Sequence, residues 1–273
     1  MLHKFLFVLK ERTRSTRLFL MKKIYAWGYR FSTWLLPPRM ANPRILLGKK
    51  NLIAIAVGAY GEPYVQKILT RLGSEKYDFL LFVWDDNAKL SHDVFKKAKI
   101  IREKGCKFQF AKKYITEEVA HRYEHIFLWD DDVDVEDFSF ENFLDIFRRN
   151  RLELAQPALS DNSFYSFDIT KRVPAHTGRF TDFVEIMVPV FTPSAWLKYS
   201  QMIDLGWNLW AWGTDNIAKT FCGYRRMGII DTESVRHMKE IITPAIAALN
   251  HKQFLEMHPQ FQRARMITYA HMR

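Results

Sequence analysis

Residues 123–137 read YEHIFLWDDDVDVED, a largely apolar segment that runs directly into six carboxylates within eight positions. The stretch 125–129 predicts a buried β-strand. Carboxylates this close repel one another, and removal from water increases the cost. A hard divalent cation such as Mg²⁺ or Mn²⁺, which prefers oxygen ligands, would neutralise them. The alternative is a solvated acidic loop, and the buried strand before the cluster favours the metal.

The same cluster can be compared with a calcium loop of the EF-hand type. Asp130, Asp132, Asp134 and Glu141 fall at the spacing of four of its ligands. That loop requires a glycine where this chain has Val135, and a helix rather than a strand leads into it. An EF-hand is therefore not predicted.

Strand and helix patterns alternate along the chain after residue 50. This alternation predicts an α/β fold with a mainly parallel sheet flanked by helices, and ligands at the carboxyl ends of its strands. Strands are predicted at 51–58, 78–84, 106–111, 125–129, 183–191 and 227–230, and helices at 62–72, 92–103, 115–122, 140–149, 193–202, 213–222 and from 240 onward. We expect a catalytic domain over 51–240 and a helical tail over 241–273.

The positive charge of the chain is concentrated in an N-terminal arm, residues 1–50. The arm holds 12 Lys or Arg and one acidic residue, whereas residues 51–273 hold 29 of each sign. Large apolar residues alternate with the basic ones, which favours the surface of an anionic membrane. A packed extension is the second interpretation, and a nucleic-acid-binding arm is disfavoured because such arms carry fewer large apolar residues.

The predicted cellular location rests on three sequence features: membrane-span length, signal-peptide pattern and cysteine content. No apolar stretch approaches the roughly 20 residues that span a bilayer, and no signal-peptide cleavage pattern follows residues 5–9. The two cysteines, Cys106 and Cys222, form no disulfide framework. We expect a cytoplasmic protein, peripheral to the inner face of the membrane.

A strand that ends in Asp-x-Asp is typical of GT-A-type glycosyltransferases. Five stretches follow one another in a specific order: YEHIFLWDDDVDVE (123–136), LAQPAL (154–159), VEIMVPVFTPSAW (184–196), WAWGTDN (210–216) and GIIDTESVRH (228–237). Through these stretches, residues 123–237 resemble a glycosyltransferase-like family of unknown function that is abundant in plants. One departure is Asp131, where members of the family tend to carry Glu.

The resemblance implies a GT-A-like fold and a nucleotide-sugar donor. Asp130, Asp132 and His237 would form the site for Mn²⁺ or Mg²⁺: Asp130 would face the ribose and the metal-bound water, Asp132 would bind the ion directly, and His237 would complete the metal shell. A lone histidine is also often structural. On the donor side the resemblance places Asp131, the turn Val57, Gly58 and Tyr60, and Asp85 or Asp86 after the second strand.

The acceptor side is predicted around residues 184–215. Asp215, at the start of a predicted helix, is the first candidate for the general base, and helix capping is its structural alternative. Glu185 lies within an apolar segment where an unpaired charge would be costly, so it is either paired structurally or reaches into the site, and it is the second candidate for the base. The acceptor platform is predicted at Trp207, Trp210, Trp212 and Gly213, residues that could equally belong to the core.

These features together predict a metal-dependent, inverting glycosyltransferase in cell-surface polysaccharide synthesis. Its acceptor would be a glycan or a lipid-linked sugar. The alternatives are a metal-dependent nucleotidyltransferase or phosphohydrolase that uses the same carboxylates, and a non-catalytic glycan-binding protein at the membrane.

Deletion of residues 1–36 should release the protein from anionic lipid vesicles. Each Lys or Arg near such a surface contributes about 1 kcal/mol of binding free energy, and the remaining body carries no comparable excess. Vesicle co-sedimentation measures the loss, with neutral vesicles and added salt as controls. Vesicle binding that is unchanged by the deletion, or unchanged by added salt, would contradict a peripheral membrane role for the arm.

Overall fold

The apolar strands of the sequence form the centre of a mixed sheet with helices on both faces. The computed structural model describes residues 49–240 and 245–272. The predicted basic arm therefore lies outside the described residues, apart from its last two, Lys49 and Lys50. Lys50 begins the first strand, and its ammonium lies 2.9 Å from the Asp78 carboxylate.

The described residues contain the following elements. The strands are β1 (Lys50–Val57), β2 (Tyr77–Val83), β3 (Ala98–Arg102), β4 (Tyr123–Trp129), β5 (Val133–Asp134), β6 (Leu154–Leu159), β7 (Gly178–Thr181), β8 (Val190–Phe191), β9 (Met227–His237) and β10 (Thr268–His271). The helices are α1 (Glu62–Arg71), α2 (Lys107–Tyr114), α3 (Glu117–Ala120), α4 (Phe140–Arg149), α5 (Pro193–Ser200), α6 (Thr214–Cys222) and α7 (Ala245–Met257), with 3₁₀ helices at Asp93–Lys97 and Asp168–Thr170.

The strand order brings several carboxyl ends to one edge of the sheet. The order is β10-β7-β9-β6-β8-β4-β1-β2-β3. Strands β4, β1, β2 and β3 are mutually parallel. Strand β8 is antiparallel to both β4 and β6, and β6 is parallel to β9. Strands β6 and β9 therefore run in the same direction as β4, and the carboxyl ends of β1, β2, β4 and β9 lie at the same edge.

The central strands are apolar throughout because both of their faces are buried. Along β1, Ile53 and Ile55 face one core, which is completed by α1 and α4. Their neighbours Leu52 and Ala54 face a second core, which is completed by α2, α5 and α6. This two-residue alternation onto two cores explains the continuous apolar runs that the sequence shows.

Two predicted elements between β2 and β4 are wrong. The helix predicted at 92–103 is a 3₁₀ helix followed by β3, because residues 98–102 hydrogen-bond in parallel register to β2. The strand predicted at 106–111 is the start of helix α2, which buries Phe108 and Phe110. The alternating apolar residues of this segment imitate a strand, and only packing on the sheet decides for the helix.

The predicted strand at 183–191 is mostly irregular. Only Val190 and Phe191 pair as a strand, although residues Met187 and Pro189 accept backbone hydrogen bonds from β4. Pro189 has no backbone N–H, so a continuous ladder cannot form here. The short strand predicted at 227–230 extends to His237.

The chain after residue 240 is only partly helical, because β10 follows α7. The helix buries Phe254 and Leu255 in the second core, and β10 pairs with β7. Within the described ranges, no helix has both the length and the apolar character needed to cross a bilayer.

Candidate active site

Asp130, the first residue after β4, is paired with a lysine. The Lys107 ammonium lies 2.6 Å from Asp130 Oδ1. Lys107 is the first residue of α2, and its side chain is only 10% exposed, against 38% for Asp130. Burial raises the pKa of Asp130, and the charge of Lys107 acts in the opposite direction. The Asp130 carboxylate is therefore partly exposed to solvent, while the nearly buried Lys107 ammonium binds one of its oxygens.

Asp131 points to the turn after β1 rather than into the open site. Its Oδ2 accepts a 2.6 Å hydrogen bond from the backbone N–H of Gly58. A side chain on Gly61 would overlap the Asp131 carboxyl group, so this approach requires a glycine. Burial raises the pKa of Asp131 to about 7. The structure thus gives the predicted donor residue Asp131 the function of holding the turn.

Asp132 and His237 face each other. Strand β5 pairs with the end of β9, which places His237 Nε2 3.1 Å from Asp132 Oδ1. Burial lowers the pKa of His237, but the hydrogen bond and the charge of Asp132 outweigh this effect, and the net shift is upward. The backbone N–H of His237 donates to Ser163 Oγ at 2.9 Å. Two of the three predicted metal residues, Asp132 and His237, are therefore in contact, and Asp130 pairs with Lys107 instead.

These residues fit a divalent cation that takes few protein ligands. A carboxylate oxygen and an imidazole nitrogen are donors that Mn²⁺ accepts, and Mg²⁺ is usually held by one or two carboxylates. In the described part of the chain, no three His, Cys, Asp or Glu side chains are grouped so as to hold a metal by themselves. Water and the phosphates of a bound nucleotide would have to supply the remaining ligands.

Glu185 and Asp215 lie together beside this pair, and both are buried. Burial, with the charge of Asp215 next, raises the pKa of Glu185 to about 7. Burial raises the pKa of Asp215 to about 6. Asp215 Oδ1 accepts hydrogen bonds from the backbone and side-chain nitrogens of Asn216, at 2.9 and 2.8 Å. In contrast, Glu185 Oε2 has no hydrogen-bond partner among the described residues.

Asp215 does not cap helix α6 in the ordinary way. The N-cap position is Gly213, whose φ of +85° is left-handed, and Asp215 is the second helical residue. Gly213 is also required for packing, since a Cβ there would lie 2.8 Å from His251 Cδ2. The space beside Gly213 is therefore occupied by α7, not left free for a ligand.

The residues predicted on the donor side lie together at the carboxyl edge of the sheet, but they differ in their exposure and in their hydrogen-bond partners. Val57 is buried in the core, and Gly58 packs so closely under the exposed ring of Trp84 that an added Cβ would lie 2.7 Å from it. Asp85 Oδ2 accepts from the Ala59 N–H at 3.0 Å, which lowers the pKa of Asp85. Asp86 and Tyr60 are exposed. The Asp86 carboxylate pairs with Lys104, and the Tyr60 hydroxyl donates a hydrogen bond to the Met238 carbonyl.

Of the three predicted acceptor tryptophans, only Trp210 is exposed, at 38%. Trp207 packs against Phe254 of α7, and its carbonyl accepts from the Asn250 side chain at 3.0 Å. Trp212 is half-buried, and its carbonyl accepts from Asn208 at 2.9 Å. Trp207 therefore packs against α7, Trp212 is partly exposed, and Trp210 is the most exposed of the three.

Sequence reasoning missed Lys107 and the segment 160–166. Lys107 carried no signal because lysine is frequent throughout the chain. The segment 160–166 holds His237 through Ser163, and Ser166 contacts Glu185. It also exposes Phe164 and Tyr165. Exposed aromatic residues next to Ser163 and Ser166 would have been a usable signal, but only once the fold had brought residues 160–166 to the site.

Gly61→Ala should lower the free energy of unfolding by about 1–3 kcal/mol, because the added methyl group overlaps the Asp131 carboxyl group. The backbone of Gly61 is in the ordinary helical region, so alanine causes no conformational strain. In an Asp131→Gly background the same change should cost much less, because the overlapping atoms are then absent, including the Asp131 Cβ that would lie 2.4 Å from the added methyl group. Denaturant unfolding of the four proteins measures the coupling. Equal costs in both backgrounds would show that Asp131 does not occupy this space.

Comparison with known proteins agrees with this fold. The crystal structure of GalNAc-T7 with UDP, GalNAc and Mn²⁺ superposes with a TM-score of 0.55 at 11% sequence identity, over 76% of this chain and 48% of that one. The chain thus spans about half the length of that protein. S. aureus TarS 1–349 in complex with UDP-GlcNAc superposes with a TM-score of 0.47 at 10% identity, over 78% of this chain and 73% of that one. The predicted GT-A-like fold is confirmed.

No curated protein matches the chain in sequence. Residues 40–180 and 175–269 match the model of a family described as a protein of unknown function, DUF707. These two matches cover most of the chain, including β4, the acidic cluster and His237. The chain therefore belongs to the DUF707 family.

Proposed function

We propose that this protein is a metal-dependent glycosyltransferase that moves a sugar from a nucleotide-sugar donor to a glycan or lipid-linked acceptor with inversion. The observation that carries the proposal is the pairing of Asp132 with His237 beside the buried carboxylates Glu185 and Asp215. Residues that could hold a metal and a candidate base would thus lie at one edge of a GT-A-like sheet. The UDP and Mn²⁺ in the GalNAc-T7 structure support the same assignment of ligands.

Asp132 and His237 would hold Mn²⁺ or Mg²⁺, and the bound ion would neutralise the donor diphosphate as negative charge develops on it. Around this position the chain itself supplies the geometry. Asp131 fastens the turn after β1, so the Gly58 backbone stays close to the donor side. Trp84 and Tyr60 expose flat apolar surface beside that turn, where a nucleobase would lie.

The contacts favour Glu185 over Asp215 as the general base of an inverting transfer. A base needs an oxygen that can accept the proton of the acceptor hydroxyl, and the buried Glu185 Oε2 has no hydrogen-bond partner among the described residues. Its pKa of about 7 is also close to neutral pH, where a base is most effective. Asp215 is already bound by Asn216 and by the Ile186 N–H, and its charge raises the pKa of Glu185. Asp215 therefore acts through Glu185.

Asp132→Ala should abolish sugar transfer and also the stabilisation of the protein by Mn²⁺ with UDP. A ligand at about 100 times its dissociation constant adds about 2.7 kcal/mol of stability, which thermal unfolding detects without any acceptor. Asp137→Ala, an exposed carboxylate of the same cluster, is the matched control and should behave as wild type. Full transfer in excess chelator would contradict the proposal, and release of pyrophosphate instead of nucleoside diphosphate would indicate nucleotidyl transfer.

Glu185→Gln should lower the transfer rate by roughly 10²–10⁴-fold while UDP affinity is retained. Wild-type transfer should decline as the pH falls through about 7, because protonation removes the base. Asp215→Asn should move this decline to lower pH, since the neighbouring charge that raises the pKa of Glu185 is gone. Initial rates from pH 5 to 9 for the three proteins measure both effects. If Asp215→Asn alone abolishes transfer and Glu185→Gln does not, Asp215 is the base.

A further inference from the structure

Lys107 is the most completely bonded charged group in the site. An ammonium has three N–H donors. The Lys107 Nζ atom lies 2.6 Å from Asp130 Oδ1, 2.6 Å from the Ile186 carbonyl oxygen and 2.9 Å from the Met187 carbonyl oxygen. The side chain is almost inaccessible to solvent at 10% exposure. A buried lysine costs much desolvation energy unless it is paired in this way.

The three acceptors belong to two different parts of the site. Asp130 follows β4 and opens the acidic cluster, whereas Ile186 and Met187 directly follow Glu185. The backbone adds a further link, because the Asp130 N–H donates to the Met187 carbonyl at 3.0 Å. Lys107 therefore ties the first carboxylate of the cluster to the segment that carries the proposed base.

The pairing also changes the charge that a metal ion meets. Asp130, Asp131 and Asp132 are adjacent, and a cation at Asp132 and His237 would be attracted by all of their charges. Lys107 cancels the charge of Asp130 and occupies its Oδ1. A cation at Asp132 and His237 would therefore meet an Asp130 carboxylate that an ammonium already neutralises.

On the basis of the proposed function, we propose that Lys107 is the resident cation of Asp130. It neutralises this carboxylate in place of the metal and positions it, together with residues 185–187, while Asp132 and His237 alone hold the divalent ion. Asp130 is then a donor-facing residue and not a metal ligand. Lys107 is a positioning residue, since it contacts neither the metal nor the reacting atoms.

The proposal predicts that removal of Lys107 tightens metal binding. Lys107→Met leaves the Asp130 charge uncompensated near the cation site, so Mn²⁺ should bind roughly tenfold more tightly. Lys107→Met with Asp130→Asn removes both charges and should restore wild-type affinity. Lys113→Met, on the same helix but paired with Glu103 on the surface, is the matched control and should match wild type.

The test is a titration of each protein with Mn²⁺ in the presence of saturating UDP, with unbound Mn²⁺ followed by its electron paramagnetic resonance signal. This readout requires neither sugar nor acceptor. Thermal unfolding in chelator confirms that each variant is folded. If Lys107→Met fails to fold, the double variant still decides between the alternatives.

Wild-type affinity in Lys107→Met would overturn the function assigned to Lys107 and leave the metal site intact. A double variant that binds Mn²⁺ more than a hundredfold more weakly than wild type would also overturn it, because Asp130 would then be a direct ligand. Failure of the wild-type protein to bind Mn²⁺ at all would overturn the proposed function together with this inference. Tighter binding in Lys107→Met, with wild-type affinity in the double variant, would support it.

Discussion

Three consecutive carboxylates after β4 are the constraint on which the rest of the site depends. Asp130, Asp131 and Asp132 repel one another, and each is accommodated by a different element. Lys107 of α2 binds the first, the Gly58 backbone after β1 binds the second, and His237 at the end of β9 binds the third. These three contacts offset the repulsion between the carboxylates and also link the surrounding elements to one another.

The same arrangement affects the protonation of two further carboxylates. Glu185 and Asp215 are buried near the same carboxylates, and burial raises both of their pKa values. In a site of low effective dielectric constant, like charges cannot all be retained unless donors compensate them. Asn216 compensates Asp215, whereas one oxygen of Glu185 lacks any such partner within the described residues. This asymmetry favours Glu185 as the base, whereas the sequence had ranked Asp215 first.

Elements whose pattern is strong were predicted correctly. Strands β1, β2 and β4 are long apolar runs buried on both faces, and α4, α5 and α6 begin and end close to their predicted positions. The failures lie where a short pattern is ambiguous. Residues 98–102 are a strand only because β2 offers them an unpaired edge, and residues 107–114 are a helix because the second core accepts Phe108 and Phe110.

By itself, the sequence determined that the acidic cluster lies at the carboxyl edge of the sheet, because a cluster that directly follows a buried strand lies there in any parallel arrangement. It also singled out Asp130, Asp132 and His237 as candidate metal ligands, through the resemblance. Only the tertiary structure decided which partner each carboxylate has. Lys107 lies 23 residues before its partner Asp130, and Gly58 lies 73 residues before its partner Asp131, so no local pattern connects either pair. Their contacts exist because parallel strands and the helix between them bring the ends of separate segments to one edge.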